Sequence, residues 1–205
     1  ISIEVNKVFR LSENNLDRGQ FRHLIVSPIN TRRKIIKWID QEIINAKKGL
    51  SSGIKLKLNN LTDEVMIEKL YAASNAGVKI ELIIRGICCL IPGVKGMSEN
   101  ITAISIVDRY LEHARLMVFE NSGEPLIFIL SADFMERNLD YRIEVGVPIL
   151  DKKIQAELLQ VFDFQWRGSV KSRLLSKDFK NEYRKNDLPP FHAQLETYKY
   201  YADLG

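Results

Sequence analysis

The sequence predicts an α/β fold, and three observations carry that prediction. Residues 54–58, IKLKL, alternate apolar and charged side chains as a half-buried strand does. Residues 62–77 then carry a helical pattern with acidic residues in the first turn and Gly77 at the end, and residues 78–84, VKIELII, return to strand. Strand, helix and strand within about 30 residues make a βαβ unit, whose crossover requires parallel strands with helices covering the sheet. Finally, 205 residues at 45% hydrophobic and 27% charged describe a folded domain with a core of ordinary size rather than a disordered chain.

The first 11 residues place Ile3, Val5, Val8, Phe9 and Leu11 among polar ones, and the run SENNLDRGQ reads as a loop. Residues 1–20 are expected to be a linker or the end of a preceding domain, since the chain opens mid-pattern without a methionine, as a piece of a longer protein would. Residues 21–26, FRHLIV, read as a strand closed by Ser27 and Pro28, with His23 structural. Thr31 is placed to cap a helix ended by Gly49, with Ile35, Ile36, Ile39, Ile43 and Ala46 on one face and the basic start Arg32, Arg33, Lys34 on a solvated one.

After the βαβ unit, residues 86–100 hold three glycines around Pro92, too irregular for a helix, and are expected to form a structured loop over a site. Residues 101–107 are a strand; RLMVF at 115–119 is another, after ENSGEP at 120–125 comes LIFIL, and VGVPI at 145–149 follows. Residues 151–166 form an amphipathic helix with Ile154, Leu158, Val161 and Phe162 inward, residues 173–187 are highly charged, and HAQLETYKYYADL ends the chain as a helix. The α/β domain is thus expected over 21–187, with a C-terminal helix at 188–205 packed on it.

A formal charge of +4 suits an anionic ligand without demanding nucleic acid. Cys88 and Cys89 are adjacent, too close to bridge in ordinary geometry, and are expected to be packed, reduced thiols of a cytosolic protein. No secretory signal pattern and no apolar run of about 18 residues is seen, which points to the cytoplasm.

Ligands of open α/β sheets gather beyond the carboxyl ends of the strands. Arg85 follows VKIELII directly, and Lys57 with Asn59 closes IKLKL; an arginine so placed serves either an ion pair or an anion, and two cationic ends on neighbouring strands favour the anion. His113 and Arg115 precede RLMVF. A histidine there can be structural, or can act as nucleophile, acid or base near neutral pH, while arginine offers a planar fork to phosphate oxygens. Ser131, Asp133, Asn138, Arg142 and Glu144 follow LIFIL, and Glu144 can either fix a histidine tautomer or form a salt bridge that does no chemistry. A histidine, cationic groups and one carboxylate at strand ends fit phosphoryl or phosphodiester chemistry. No carboxylate cluster announces a metal site, so a divalent ion is expected to arrive with nucleotide phosphates.

The segments IIRGICCLIPGVKGMSENI, SIVDRYLEHARLMVFENSGEP and LSADFMERNLDYRIEVGVPI, with HLIVSPIN, KLNNLTD and AQLETYKY, resemble the carboxyl-terminal catalytic half of the bacterial polyphosphate kinases over nearly the whole chain. That family is similar to the phospholipase D superfamily, so the resemblance implies a phospholipase D-like mixed sheet flanked by helices, one half of a two-domain catalytic unit. The superfamily pattern His-x-Lys-x4-Asp corresponds to His113, Arg115 and Glu120, and its Gly-Ser-x-Asn with a later Glu corresponds loosely to Leu130, Ser131, Asp133 and Glu144. The two altered cationic and acidic positions weigh against a lipase or nuclease.

The resemblance further implies reversible transfer of the terminal phosphoryl group of ATP to polyphosphate through a phosphohistidine. It carries over Arg85 as a contact to ATP phosphates and His113 as a proton donor or acceptor at the nucleotide site; from their places at the strand ends, Glu144 is expected to be catalytic beside His113 by orienting donors, and Lys57, Asn59, Arg115, Ser131 and Asn138 are expected to contact phosphate or nucleotide. The phosphorylated histidine and the Mg²⁺ ligands are expected in a preceding domain, so this chain alone is expected to be inactive. The implied partners are ATP or ADP with Mg²⁺, inorganic polyphosphate, and the remaining N-terminal domains of a homo-oligomeric enzyme, cytoplasmic or membrane-associated. The alternatives are a phospholipase D-like phosphodiesterase and, for the isolated chain, a non-catalytic polyphosphate-binding module.

Overall fold

The computed structural model describes residues 1–14, 19–178, 180–184 and 189–204. Part of the polar run expected as a loop, at 15–18, and parts of the charged segment, at 179 and 185–187, lie outside the described residues. Thirteen elements are formed by these: α1 (Ser2–Glu13), β1 (Ile25–Ser27), α2 (Thr31–Lys47), β2 (Gly53–Leu58), α3 (Glu64–Asn75), β3 (Lys79–Ile84), β4 (Ile101–Ile106), β5 (Leu116–Phe119), β6 (Leu126–Leu130), β7 (Glu144–Pro148), α4 (Lys152–Arg167), β8 (Ser172–Leu175) and α5 (Ala193–Leu204). A 3-10 turn at Asn121–Gly123 and a single π turn at Arg137–Tyr141 complete them.

The eight strands make one mixed sheet in the order β1-β7-β6-β5-β2-β3-β4-β8. β2, β3 and β4 run parallel, as the βαβ pattern requires, and every other pairing is antiparallel. The sheet sorts its side chains by the two-residue repeat of a strand. Ile80, Leu82 and Ile84 of β3 join Ile54, Leu56 and Leu58 of β2 in a core with Ile35 and Ile39 of α2 and Met66 and Leu70 of α3. Ile83 turns to the opposite face and packs with Ile104, Ile106, Leu116, Val118 and Ile127 against Phe162 of α4. Gln155, Phe162 and Gln165 are the buried positions of α4, and Ile154, expected inward, is exposed. Leu158, Leu159 and Trp166 pack partly buried beside Phe162, and α5 with the residues before it covers another side of α4, with Phe164 against Phe191 and Tyr200.

Three local readings are corrected by where backbone groups find partners. The strand expected over 21–26 is only β1, because the amides of Arg22, His23 and Leu24 all donate to the carboxylate of Glu4 on α1 and are lost to the sheet. α2 begins after Asn30 rather than under a Thr31 cap, since the Asn30 side chain turns back to accept from Val26 N. α3 is capped by Asp63, which accepts from Met66 N, while the amide of Thr62 donates to Phe134 O.

Arg32, expected on a solvated face, instead bridges Asp63 and Asp140, donating to both at 2.5–2.9 Å and tying α2 to the cap of α3 and to the π turn. Glu42 of α2 is fully buried and accepts from Gly53 N and Asn121 N, which fixes the start of β2 and the turn after β5. Cys88 is partly buried, and burial pushes its thiol up to about 11, whereas Cys89 is exposed rather than packed. Among the described residues no helix is long and apolar enough to cross a membrane.

Candidate functional site

Because β5 runs against β2, and β6 against β5, the end of β2, the start of β5, the end of β6 and the start of β7 meet on one edge of the sheet. The end of β3 lies on the same edge, alongside β2. Lys57, Asn59, Arg85, His113, Arg115, Ser131, Asp133 and Glu144 therefore gather there although the chain spreads them over almost ninety residues.

The centre of this gathering is Asp133, which is buried just past β6. Its carboxylate accepts from Asn59 N at 2.8 Å, from Asn60 Nδ2 at 3.0 Å, and from Arg115 through Nε at 2.9 Å and Nη2 at 3.3 Å. Burial alone would raise the carboxyl pKa, but Arg115, Asn60 and Asn59 together hold it below the usual carboxylate range. From this hub two arms extend. Along one, Asn59 Oδ1 accepts from Arg85 Nε at 2.9 Å and Nη2 at 2.7 Å. Along the other, Arg115 Nη2 stands 3.4 Å from His113 Nε2, and Nη1 donates to His113 O.

Arg85 differs from its neighbours in one respect. Among the described residues it forms no ion pair, whereas Arg115 has Asp133, Lys57 has Glu112 and Arg32 has two aspartates. Its guanidinium is fixed by a neutral amide oxygen and keeps its charge for something else. Gly86 lets the chain pass close by: a Cβ there would lie 2.7 Å from Asn60 Oδ1 and 2.8 Å from Asn59 O.

A second group stands beside the first. Glu144 accepts from Ser131 Oγ in a short hydrogen bond and from Asn138 Nδ2 at 2.5 Å, while Ser131 Oγ accepts from Val145 N. Glu144 thus orders a hydroxyl and an amide, and the imidazole of His113 neighbours Arg115 rather than this carboxylate. Lys57 pairs with neither Asp133 nor Glu144. Its ammonium is buried and donates to Glu112 at 2.7 Å, and burial lowers its pKa, with the Glu112 charge opposing and the Arg85 charge adding to the fall. Glu120 lies at the other end of β5, where it accepts from Ser51 Oγ. A concavity of about 420 Å³ lined by Lys55, Glu81, Phe162 and Trp166 takes in Glu120 and none of the residues gathered around Asp133.

The sequence pointed to Arg85, His113, Arg115 and Glu144, but left Asp133 as a loose motif match and missed Glu112 and Asn60. The signal for Asp133 was its place directly after an apolar strand. Glu112 carried none beyond standing next to His113.

The donor set suits phosphate oxygens: two guanidinium groups, an imidazole and amide donors face one edge. It does not suit a divalent cation, since the oxygens of Asp133 and Glu144 are already taken up by donors. Among the described residues no group of three or more His, Cys, Asp or Glu could hold a metal ion.

A family model described as Polyphosphate kinase C-terminal domain 2 matches residues 24–194. Polyphosphate kinase of Salmonella typhimurium is 47% identical over all 205 residues, which are 30% of that protein, and that of Escherichia coli K12 is 46% identical over the same shares. The chain therefore spans less than a third of the length of these relatives. The crystal structure of polyphosphate kinase from Porphyromonas gingivalis superposes on 98% of this chain and 31% of that one, with a TM-score of 0.93 and 39% identity. Nuc from Salmonella typhimurium, a phospholipase D family member, shares the fold over 75% of this chain and 97% of its own, with a TM-score of 0.52 and 15% identity.

Proposed function

The chain belongs to the polyphosphate kinase family, and we propose that by itself it is a phosphate-binding module, the anion-holding half of an active cleft, that does not turn over. The observation that carries this reading is Arg85, held by Asn59 and free of any carboxylate among the described residues, on the same edge as Arg115 and His113. A guanidinium so fixed loses little entropy when it meets a phosphate oxygen. The ligand class is inorganic polyphosphate and the phosphate tail of ATP or ADP.

Within a whole polyphosphate kinase the same edge would serve transfer of the terminal phosphoryl group of ATP to polyphosphate. Arg85 holds the charge that spreads over the phosphoryl oxygens, and His113 gives a proton to the departing ADP oxygen or steers the incoming phosphate. Glu144 takes the Ser131 hydroxyl hydrogen and holds the Asn138 amide, whose second Nδ2 hydrogen is left to donate. Mg²⁺, arriving with the nucleotide, would further neutralise the phosphates, through ligands from elsewhere in the polypeptide.

The test has two arms. Calorimetric titration with tripolyphosphate should show binding to this chain that weakens about tenfold or more in Arg85→Ala, the size of a lost charge-assisted hydrogen bond. No binding to the unaltered chain would overturn the reading. Incubation with γ-labelled ATP and Mg²⁺ should give no acid-insoluble polymer from this chain while a full-length relative makes it. Polymer from the chain alone would put the nucleophile among these 205 residues and move His113 to covalent chemistry.

A further inference from the structure

We propose that α5 is a clasp on the loop that carries His113, with Gln194 as its positioning residue; the consequence for ligand binding rests on the anion-site reading above. Residues 107–115 join β4 to β5 without regular secondary structure. Apolar packing does not hold them, since Val107, Tyr110 and Leu111 are 67%, 62% and 75% exposed. Polar contacts do, and those to its outer side come from Gln194 of α5 and from His192 just before that helix.

The Gln194 side chain makes a reciprocal pair with the backbone of Tyr110, accepting from its N–H at 3.1 Å and donating to its C=O at 2.9 Å. The same Nε2 donates to Glu112 Oε1 at 3.0 Å. Two residues before Gln194, His192 Nε2 lies 3.3 Å from Asp108 Oδ2, and the Asp108 side chain is only 4% exposed. The loop is thus gripped at 108, 110 and 112, immediately before His113. Glu112 carries the grip inward, since its other oxygen accepts from Lys57 Nζ of β2 and Gln165 Nε2 of α4.

This is a built arrangement rather than incidental contact. Two backbone groups of an exposed loop residue are satisfied by a single side chain more than eighty positions later in the sequence. α5 is itself seated on α4 through Phe164 with Tyr200 and through Tyr201 Oη donating to Glu157 at 2.7 Å. The imidazole, 3.4 Å from Arg115 Nη2, therefore takes its position from two directions: Arg115 and Asp133 behind it, and α5 in front.

Hydrogen exchange and imidazole NMR on the 205-residue chain test the clasp. Gln194→Ala should speed exchange at the Tyr110 amide by about tenfold or more, as expected when a protecting contact becomes a local opening. It should shift and broaden the His113 ring resonances and weaken tripolyphosphate binding severalfold. Tyr198→Ala, on the same helix at a side chain 71% exposed, should do none of these. If Gln194→Ala does not fold, His192→Ala opens the same loop at Asp108 and should give the same changes at smaller size. Unchanged exchange at Tyr110, or His113 resonances that stay put while it rises, would overturn the clasp. An unaltered chain that binds no tripolyphosphate would overturn the anion-site reading alone, with the clasp still decided by exchange and resonance data.

Discussion

Arg115 and Asp133 face one another at 2.9 Å with only 11% and 5% of their side chains exposed, and the same carboxylate accepts the amide of Asn59. Asp133→Ala would leave a guanidinium without its counterion and a buried amide without an acceptor. The expected loss is about 3–5 kcal/mol, the range for breaking one side of a buried pair. Asp133→Asn, which keeps the shape and one acceptor, should cost less while still releasing Arg115. Urea unfolding measures both, and a loss from the alanine variant no larger than that of a surface substitution, roughly 0.5 kcal/mol, would contradict the hub.

The acid limb of stability follows from four lowered carboxyls. In Asp133, Asp63, Glu81 and Glu4 burial pushes the pKa up, but Arg115 and the asparagines, Arg32 and Met66 N, Lys55 and Lys79, and the amides of residues 22–24, respectively, more than offset it. A group whose folded pKa lies below its unfolded one contributes fully above the unfolded value, about pH 4, and loses that contribution as the pH falls through the folded value. Glu42 runs the other way. Burial, with the charge of Glu120, raises its pKa against the amides of Gly53 and Asn121, so its contribution is full below the unfolded pKa and fades as the pH rises through the folded one. Four against one, the unfolding midpoint should fall steeply below about pH 4. A midpoint that stays flat from neutrality to about pH 2 would exclude this assignment.

Gly86→Ala tests the close approach beside Arg85. The added Cβ would meet Asn59 O at 2.8 Å and Asn60 Oδ1 at 2.7 Å, and relief of such overpacking costs about 1–3 kcal/mol. The displaced residue is the one whose side chain holds Arg85, so tripolyphosphate affinity should drop together with the melting temperature. A variant with lowered stability and unchanged affinity would separate the two.

Glu4→Gln should loosen the amino-terminal helix. Glu4 accepts the amides of Arg22, His23 and Leu24, while Lys34 Nζ donates to the carbonyls of Phe21, Arg22 and Leu24 from the other side. Gln offers one acceptor and no charge, and a loss of about 1–3 kcal/mol is expected. Limited proteolysis should show faster cleavage near residues 19–24 than in the unaltered chain.

What was legible in the sequence is what repeats. The alternation of IKLKL, the glycine after the helix that follows it, and an arginine directly after an apolar strand each follow a local rule, and they led to β2, α3 and Arg85. Side chains that satisfy a distant backbone follow none. Glu4 removing the amides of residues 22–24 from a strand, Arg32 reaching Asp63 and Asp140, and Gln194 reaching Tyr110 depend on elements meeting in space. His113 and Arg115 could be read because their residue types carry chemistry; Asp133, which holds them, looked like any acid after a strand.

The antiparallel pairing of β2 with β5 joins residues 54–57 to residues 116–119, about sixty positions away. Closing so long a loop costs entropy before any contact returns it, and chains rich in such pairings fold slowly. The βαβ unit can form early from neighbouring sequence, but Asn59 meets Asp133 only once β5 and β6 have joined. During synthesis, the cationic edge would therefore stay unassembled until the carboxyl-terminal part of the chain has emerged, and its order of assembly is set by strand order in the sheet.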